Sequence, residues 1–220
     1  MSVDPQPVPP AVRAQILATE HWSLLATRSQ TWSEIMSRIS IHLTVTSASL
    51  VVLALVTQAD GFGTAFHVLS IGLTSAVLAL GTLTGARVYN ASHDDAMLVV
   101  GMNRLRAAYV AMDPTIAEYL VTSWHDDLDG VMQTYAMGRP RSMTSQVLAS
   151  TSVFMQLVNT LVAGALGALV ADAAGGAPAV LAVVGTLTGL AHLGVAATVA
   201  GRSFRRPSVL PRFPSPAAGG

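Results

Sequence analysis

Two tripeptides hold the residue types of a metal or acid–base site, His93-Asp94-Asp95 and His125-Asp126-Asp127. Carboxylates beside histidine bind Mg²⁺, Mn²⁺ or Zn²⁺. The second cluster continues to Asp129-Gly130, part of a calcium-loop pattern. That pattern breaks down, because His125 would stand at the first ligand position and Ala136 at the closing glutamate. Acid clusters also complement the dipole at helix N termini. Both are read that way, with no metal or cofactor assigned. No G-x-S-x-G, H-E-x-x-H, phosphate-loop or G-x-G-x-x-G pattern occurs, so no catalytic residue is assigned either.

A second set of polar residues lies inside apolar sequence: His42, Ser152, Gln156, Asn159 and His192. Ser145, Ala149, Ser152, Gln156, Asn159, Ala163 and Gly167 recur three or four apart, one stripe of a helix. Ser40, Thr44 and Ser47 echo it, with His42, Thr46 and Ser49 alongside. Amides and imidazoles at membrane depth need partners. They either bond helix to helix or line a polar path, and the first is the simpler reading. The apolar stretches between Arg38 and Asp60, Asp60 and Arg87, Arg141 and Asp172, and Asp172 and Arg202 hold no carboxylate, so a proton pump or cation-coupled carrier lacks its usual group. Gly81 with Gly85 and Gly185 with Gly189 form G-x-x-x-G pairs, which let helix backbones approach closely in lipid.

The chain of 220 residues is 51% hydrophobic and only 11% charged, against about 25% charged in soluble domains. Twelve basic residues, all arginine, balance twelve acidic ones, which leaves no net field to recruit nucleic acid. The absence of cysteine excludes disulfide frameworks and thiol nucleophiles.

Four segments free of charge, 39–59, 61–86, 142–171 and 173–201, each reach the roughly 20 residues that cross a bilayer. Neither short connection between paired spans carries arginine: Gln58–Thr64 holds Asp60, and Asp172–Ala177 holds Asp172. Positive charge stays in the cytoplasm. The expected protein is therefore all-α and polytopic in the plasma membrane, with four transmembrane helices in two hairpins and both termini cytoplasmic. No basic, short apolar leader opens the chain, so no cleaved signal is expected.

The expected organisation begins with a disordered tail (1–10) and an amphipathic cytoplasmic or interfacial helix (11–38). Transmembrane hairpins over 39–88 and 142–201 flank a cytoplasmic helical hairpin (89–141), and 202–220 forms a second disordered tail. Both tails are proline-rich. Trp22, Leu25, Trp32 and Met36 mark one face of the first helix, suited to a headgroup layer or to another cytoplasmic helix. Leu98, Met102, Leu105, Tyr109 and Met112 form an apolar seam, and Asp113-Pro114 stops that helix and starts a second. Ile116, Leu120, Leu128, Val131 and Tyr135 would bury this second helix.

Residues 76–85 and 179–189 nearly coincide with one insertion, which fits either a duplicated hairpin or shared composition alone. Through Gly101–Tyr109, Trp124–Asp127 and Glu20–Arg28, the chain resembles uncharacterised four-span integral membrane proteins of high-GC Gram-positive bacteria. The resemblance runs from about residue 16 to 138 and implies a membrane location without an activity. In outline, a cytoplasmic helix before a two-span hairpin also looks like small bacterial pore-forming modules.

The function expected from these observations is non-enzymatic: a homo-oligomeric protein, embedded in membrane lipid, that forms or regulates a pore. The alternative is a scaffold or accessory subunit that binds a cytoplasmic protein through its soluble helices. A metal-dependent membrane enzyme ranks below both.

Overall fold

All regular structure among the described residues is helical. The computed structural model describes residues 8–137, 142–204 and 210–216. In chain order come α1 (Pro10–Asp60), α2 (Thr64–Met112), a 3-10 turn (Pro114–Tyr119), α3 (Leu128–Ala136), α4 (Met143–Leu148), α5 (Thr151–Ala173) and α6 (Pro178–Phe204). Four of these, α1, α2, α5 and α6, are long and apolar enough to cross a membrane.

Several expected boundaries move. The amphipathic helix and first span are one helix, because nothing between Ala11 and Asp60 is glycine or proline. On α1, Trp22, Leu25 and Met36 are exposed, whereas Trp32 turns inward. The second span likewise runs unbroken to Met112. The expected second cytoplasmic helix divides in two. Asp113 caps the 3-10 turn by accepting from the Thr115 N–H, and Leu120 leaves it in extended conformation. Asp127 then caps α3 through the Gly130 N–H at 2.9 Å, and as an N-cap it cannot sit within a helix. The third span restarts at Thr151, where Ser150 accepts from the Val153 N–H.

Two turns join the long helices. Gly61 (φ +64°) ends α1 by donating its N–H to the Thr57 carbonyl. Gly175 (φ +78°) plays the same part after α5, bonding to the Asp172 carbonyl. Left-handed backbone at a helix end is glycine's usual place.

The chain forms two compact units. Among the described residues, the first comprises 8–32, 92–137, Ser142 and 210–216. Its core is Val99, Met102 and Val131, packed by Leu24, Val100 and Tyr135. Leu24 reaches to within 3.0 Å of where a Cβ on Gly101 would stand, so that glycine admits α1 against α2.

The second unit comprises 33–91 and 143–204. Here each long helix buries one narrow stripe. These stripes are Ile35, Ile39, His42 and Ser49 on α1, Val77, Gly81, Thr84 and Val88 on α2, and Met155, Asn159, Ala163 and Gly167 on α5. On α6 the stripe is Gly185 and Gly189.

Between α5 and α6 the contact is backbone on backbone. A Cβ on Gly164 would lie 3.1 Å from the Gly185 carbonyl oxygen, and one on Gly185 would lie 3.0 Å from the Gly164 carbonyl oxygen. Gly189 faces the Thr160 carbonyl in the same way, and the Thr188 side chain fills the space beside Gly167. Gly164→Val should force these helices apart and cost about 1–3 kcal/mol. Thermal denaturation in detergent, with Gly194→Val as the control at an open position, measures the difference.

Candidate functional site

In the second unit, the sequence-selected polar residues form two separate layers. The first joins His42 on α1, Gly81 and Gly85 on α2, and Asn159 on α5. Asn159 occupies the place a Cβ on Gly81 would take, and the His42 ring edge lies 2.8 Å from that same position. The Asn159 amide nitrogen is 3.4 Å from the corresponding point on Gly85. His42 and Asn159 are each only 1% exposed. Neither His42 ring nitrogen nor the Asn159 carbonyl oxygen has a hydrogen-bond partner among the described residues. An imidazole edge and an amide oxygen thus lie over one glycine without a hydrogen bond, held by packing.

The second layer lies between α5 and α6. The Gln156 amide nitrogen is 3.0 Å from His192 Nδ1. An amide N–H can only donate, so Nδ1 is the acceptor in this contact. Ser152, one turn before Gln156, is half-buried. Gly185 and Gly189 belong to the α5–α6 contact described above.

The second unit also holds two charged contacts that periodicity did not reveal. Arg87 (2.9 Å) and Arg38 (2.8 Å) both donate to Glu34, and their hydrogen bonds hold its carboxyl down at about 2. His67 makes two bonds. Its Nδ1 faces the Gly63 carbonyl and its Nε2 faces the Asp172 carboxylate, both at 3.0 Å. One ring thus bridges the first turn of α2 and the last turn of α5.

The first unit is organised around buried acceptors. Asp95, 3% exposed, receives Arg28 Nε at 2.6 Å, Trp32 Nε1 at 2.8 Å and the Tyr135 hydroxyl at 2.6 Å. Burial opposes its charge, but bonds from Arg28, Tyr135 and Trp32 outweigh that and hold its carboxyl below the ordinary range. Burial and the bond to Asp95 push the Tyr135 hydroxyl well up. Asn103, fully buried, donates to the His125 carbonyl and accepts from Arg106 and Thr134.

The His-Asp-Asp clusters therefore serve different ends. In the first, Asp95 is an ion-pair hub. In the second, Asp126 accepts from Arg104 Nε at 2.7 Å and from the backbone N–H groups of Arg212 and Phe213. Asp127 caps α3 and also accepts from the N–H and hydroxyl of Ser215. Both aspartates are held low by these donors against the opposing effect of burial. Their oxygens face protein N–H and O–H groups. Residues 210–216, expected to be disordered, thus lie against this loop, because two carboxylates accept from the N–H groups of the segment's non-proline residues.

These contacts belong to an all-helical protein with four apolar helices of membrane-crossing length. The chain matches no protein-family model, no curated protein and no solved structure.

Two substitutions probe the two units. Gly81→Ala should displace Asn159 and His42 and lower the denaturation temperature, and adding Asn159→Ala should recover part of the loss; simple additivity would show that the two side chains do not share the space. Asp95→Asn should cost about 2 kcal/mol, below the usual cost of breaking a buried pair because Arg28 keeps 32% of its side chain exposed. The Asp95 carboxyl is lowered by folding, so its contribution is present above about pH 4 and lost as pH falls through its folded-state value. Denaturation at pH 7 and pH 3 should show the wild-type advantage shrinking in acid.

Proposed function

We propose that the chain is a non-enzymatic, self-associating protein of the plasma membrane. It crosses four times, with both termini cytoplasmic, and any aqueous path lies between copies rather than within one. The observation that carries this reading is how little of each apolar helix a single chain covers. Only 11–22% of each span's most apolar window is buried. The remaining apolar surface suits lipid or another copy. Meanwhile, the polar side chains that would line a path are packed over Gly81 or bonded across α5 and α6.

The orientation rests on charge. Turns beside Asp60 and Asp172 lack arginine, whereas every arginine falls in sequence outside the four charge-free segments, at their other ends. A scaffold acting through the Leu98–Met112 seam is less favoured, because Met102 is spent in the core with Leu24 and Val131. A metal enzyme is less favoured because the Asp126 and Asp127 oxygens already accept protein donors.

Tags inserted beside Asp60 and Asp172 should be accessible from outside intact cells, and a tag at the N terminus should not. Inward exposure of either turn would overturn the orientation. In lipid nanodiscs the particle mass, less lipid and belt, should correspond to a discrete oligomer, and a strict monomer would end the self-association reading.

A further inference from the structure

The contact between residues 210–216 and the Asp126–Asp127 loop depends mainly on backbone donors, with the Ser215 hydroxyl adding a bond to Asp127 at 2.9 Å. In Leu-Pro-Arg-Phe-Pro-Ser-Pro, proline removes the N–H at 211, 214 and 216. That leaves N–H groups at 210, 212, 213 and 215, and the last three all donate to the two carboxylates at 2.7–3.0 Å. The Asp126 N–H returns a bond to the Phe213 carbonyl at 3.1 Å, and Arg104 holds the Leu210 carbonyl at 3.0 Å. The loop therefore reads spacing: two consecutive N–H groups between prolines, then a third. The proline-rich start of the chain has no such pair, since Gln6 and Val8 each stand alone between prolines.

Little apolar surface reinforces the contact. Leu210 is 86% exposed, and Pro211, Arg212, Pro214 and Pro216 are exposed as well. Asp126 lies buried beneath the segment and Phe213 is half-buried, but no side chain of the segment is fully buried, and a segment held mainly by charge-assisted hydrogen bonds is suited to release and rebinding. A second copy presents the same donors to the same acceptors, so exchange replaces every bond with an identical one.

We propose that the Asp126–Asp127 loop is a peptide-docking site for an extended, proline-spaced segment, and that associated copies of the chain trade their 210–216 segments through it. The inference rests on the self-association reading and adds the means by which copies are linked.

Complementation between full-length copies in nanodiscs tests it. One isotope-labelled copy carries Asp126→Asn with Asp127→Asn, which removes the acceptor charge while asparagine remains a competent helix cap. The other, unlabelled, carries Arg212→Pro with Ser215→Pro, which removes three donors, the N–H at 212 and the N–H and hydroxyl at 215, and leaves the loop intact. In the wild type, amides 212, 213 and 215 should exchange about tenfold more slowly than in the free peptide Leu-Pro-Arg-Phe-Pro-Ser-Pro. Exchange at the free-peptide rate would overturn the docking itself. The labelled copy alone should lose this protection and regain it when the two copies, purified separately, are mixed in detergent and reconstituted together. An oligomer of the expected mass in which protection does not return would overturn the trade and leave self-association standing; a monomer would overturn both. Unchanged protection within α2 and α3 shows that the labelled copy is folded, and Asp126→Asn alone replaces the double substitution if it is not.

Discussion

Polar groups taken out of water must be given partners, and the cost of failing to do so grows as the surroundings become less polar. This constraint governs the first unit, whereas in the second the His42 ring nitrogens and the Asn159 carbonyl oxygen are held without a partner among the described residues. In the first, three aspartates become fixed points because each needs several donors at once. Asp95 draws in Arg28, Trp32 and Tyr135 from distant parts of the chain. Asp126 and Asp127 recruit an arginine and a stretch of bare backbone. In the second unit, the polar groups are amides, imidazoles and hydroxyls, and glycine decides where they fit.

The glycines act in two ways. Gly164, Gly185 and Gly189 remove side chains so that backbones of α5 and α6 meet. Gly81 instead clears room on α2 for the side chains of His42 and Asn159. The same absence of a Cβ thus produces a dry backbone contact at one place and a polar one at another. Hydroxyl side chains avoid the problem locally: Thr44, Thr46, Ser49 and Thr84 each donate to a carbonyl of their own helix.

The four apolar segments were legible because exclusion of charge over some twenty residues is a local property of sequence. So were the turns at Gly61 and near Gly175, where small and acidic residues interrupt apolar runs. Helix continuity past Arg38 and Arg87 was not, since a change from polar to apolar composition marks a change of environment and need not mark a change of backbone. The meeting of His42, Gly81 and Asn159 was legible only as three separate residues, because periodicity gives the face of a helix and not the neighbour it meets. The role of Asp126 and Asp127 was hidden more deeply. Proline density in 210–216 reads as disorder when the segment is considered alone, and the acid pair reads as a cap or metal ligand. Only their juxtaposition across 86 positions shows that each supplies what the other lacks.

The His67 contact ties the start of α2 to the end of α5 in a chain that has no cysteine. A disulfide in that position would be set by the redox state of its surroundings. This tie instead rests on one imidazole set between the Gly63 carbonyl and the Asp172 carboxylate. It is a cross-link of hydrogen bonds alone, indifferent to redox state and made or unmade without any change in covalent structure.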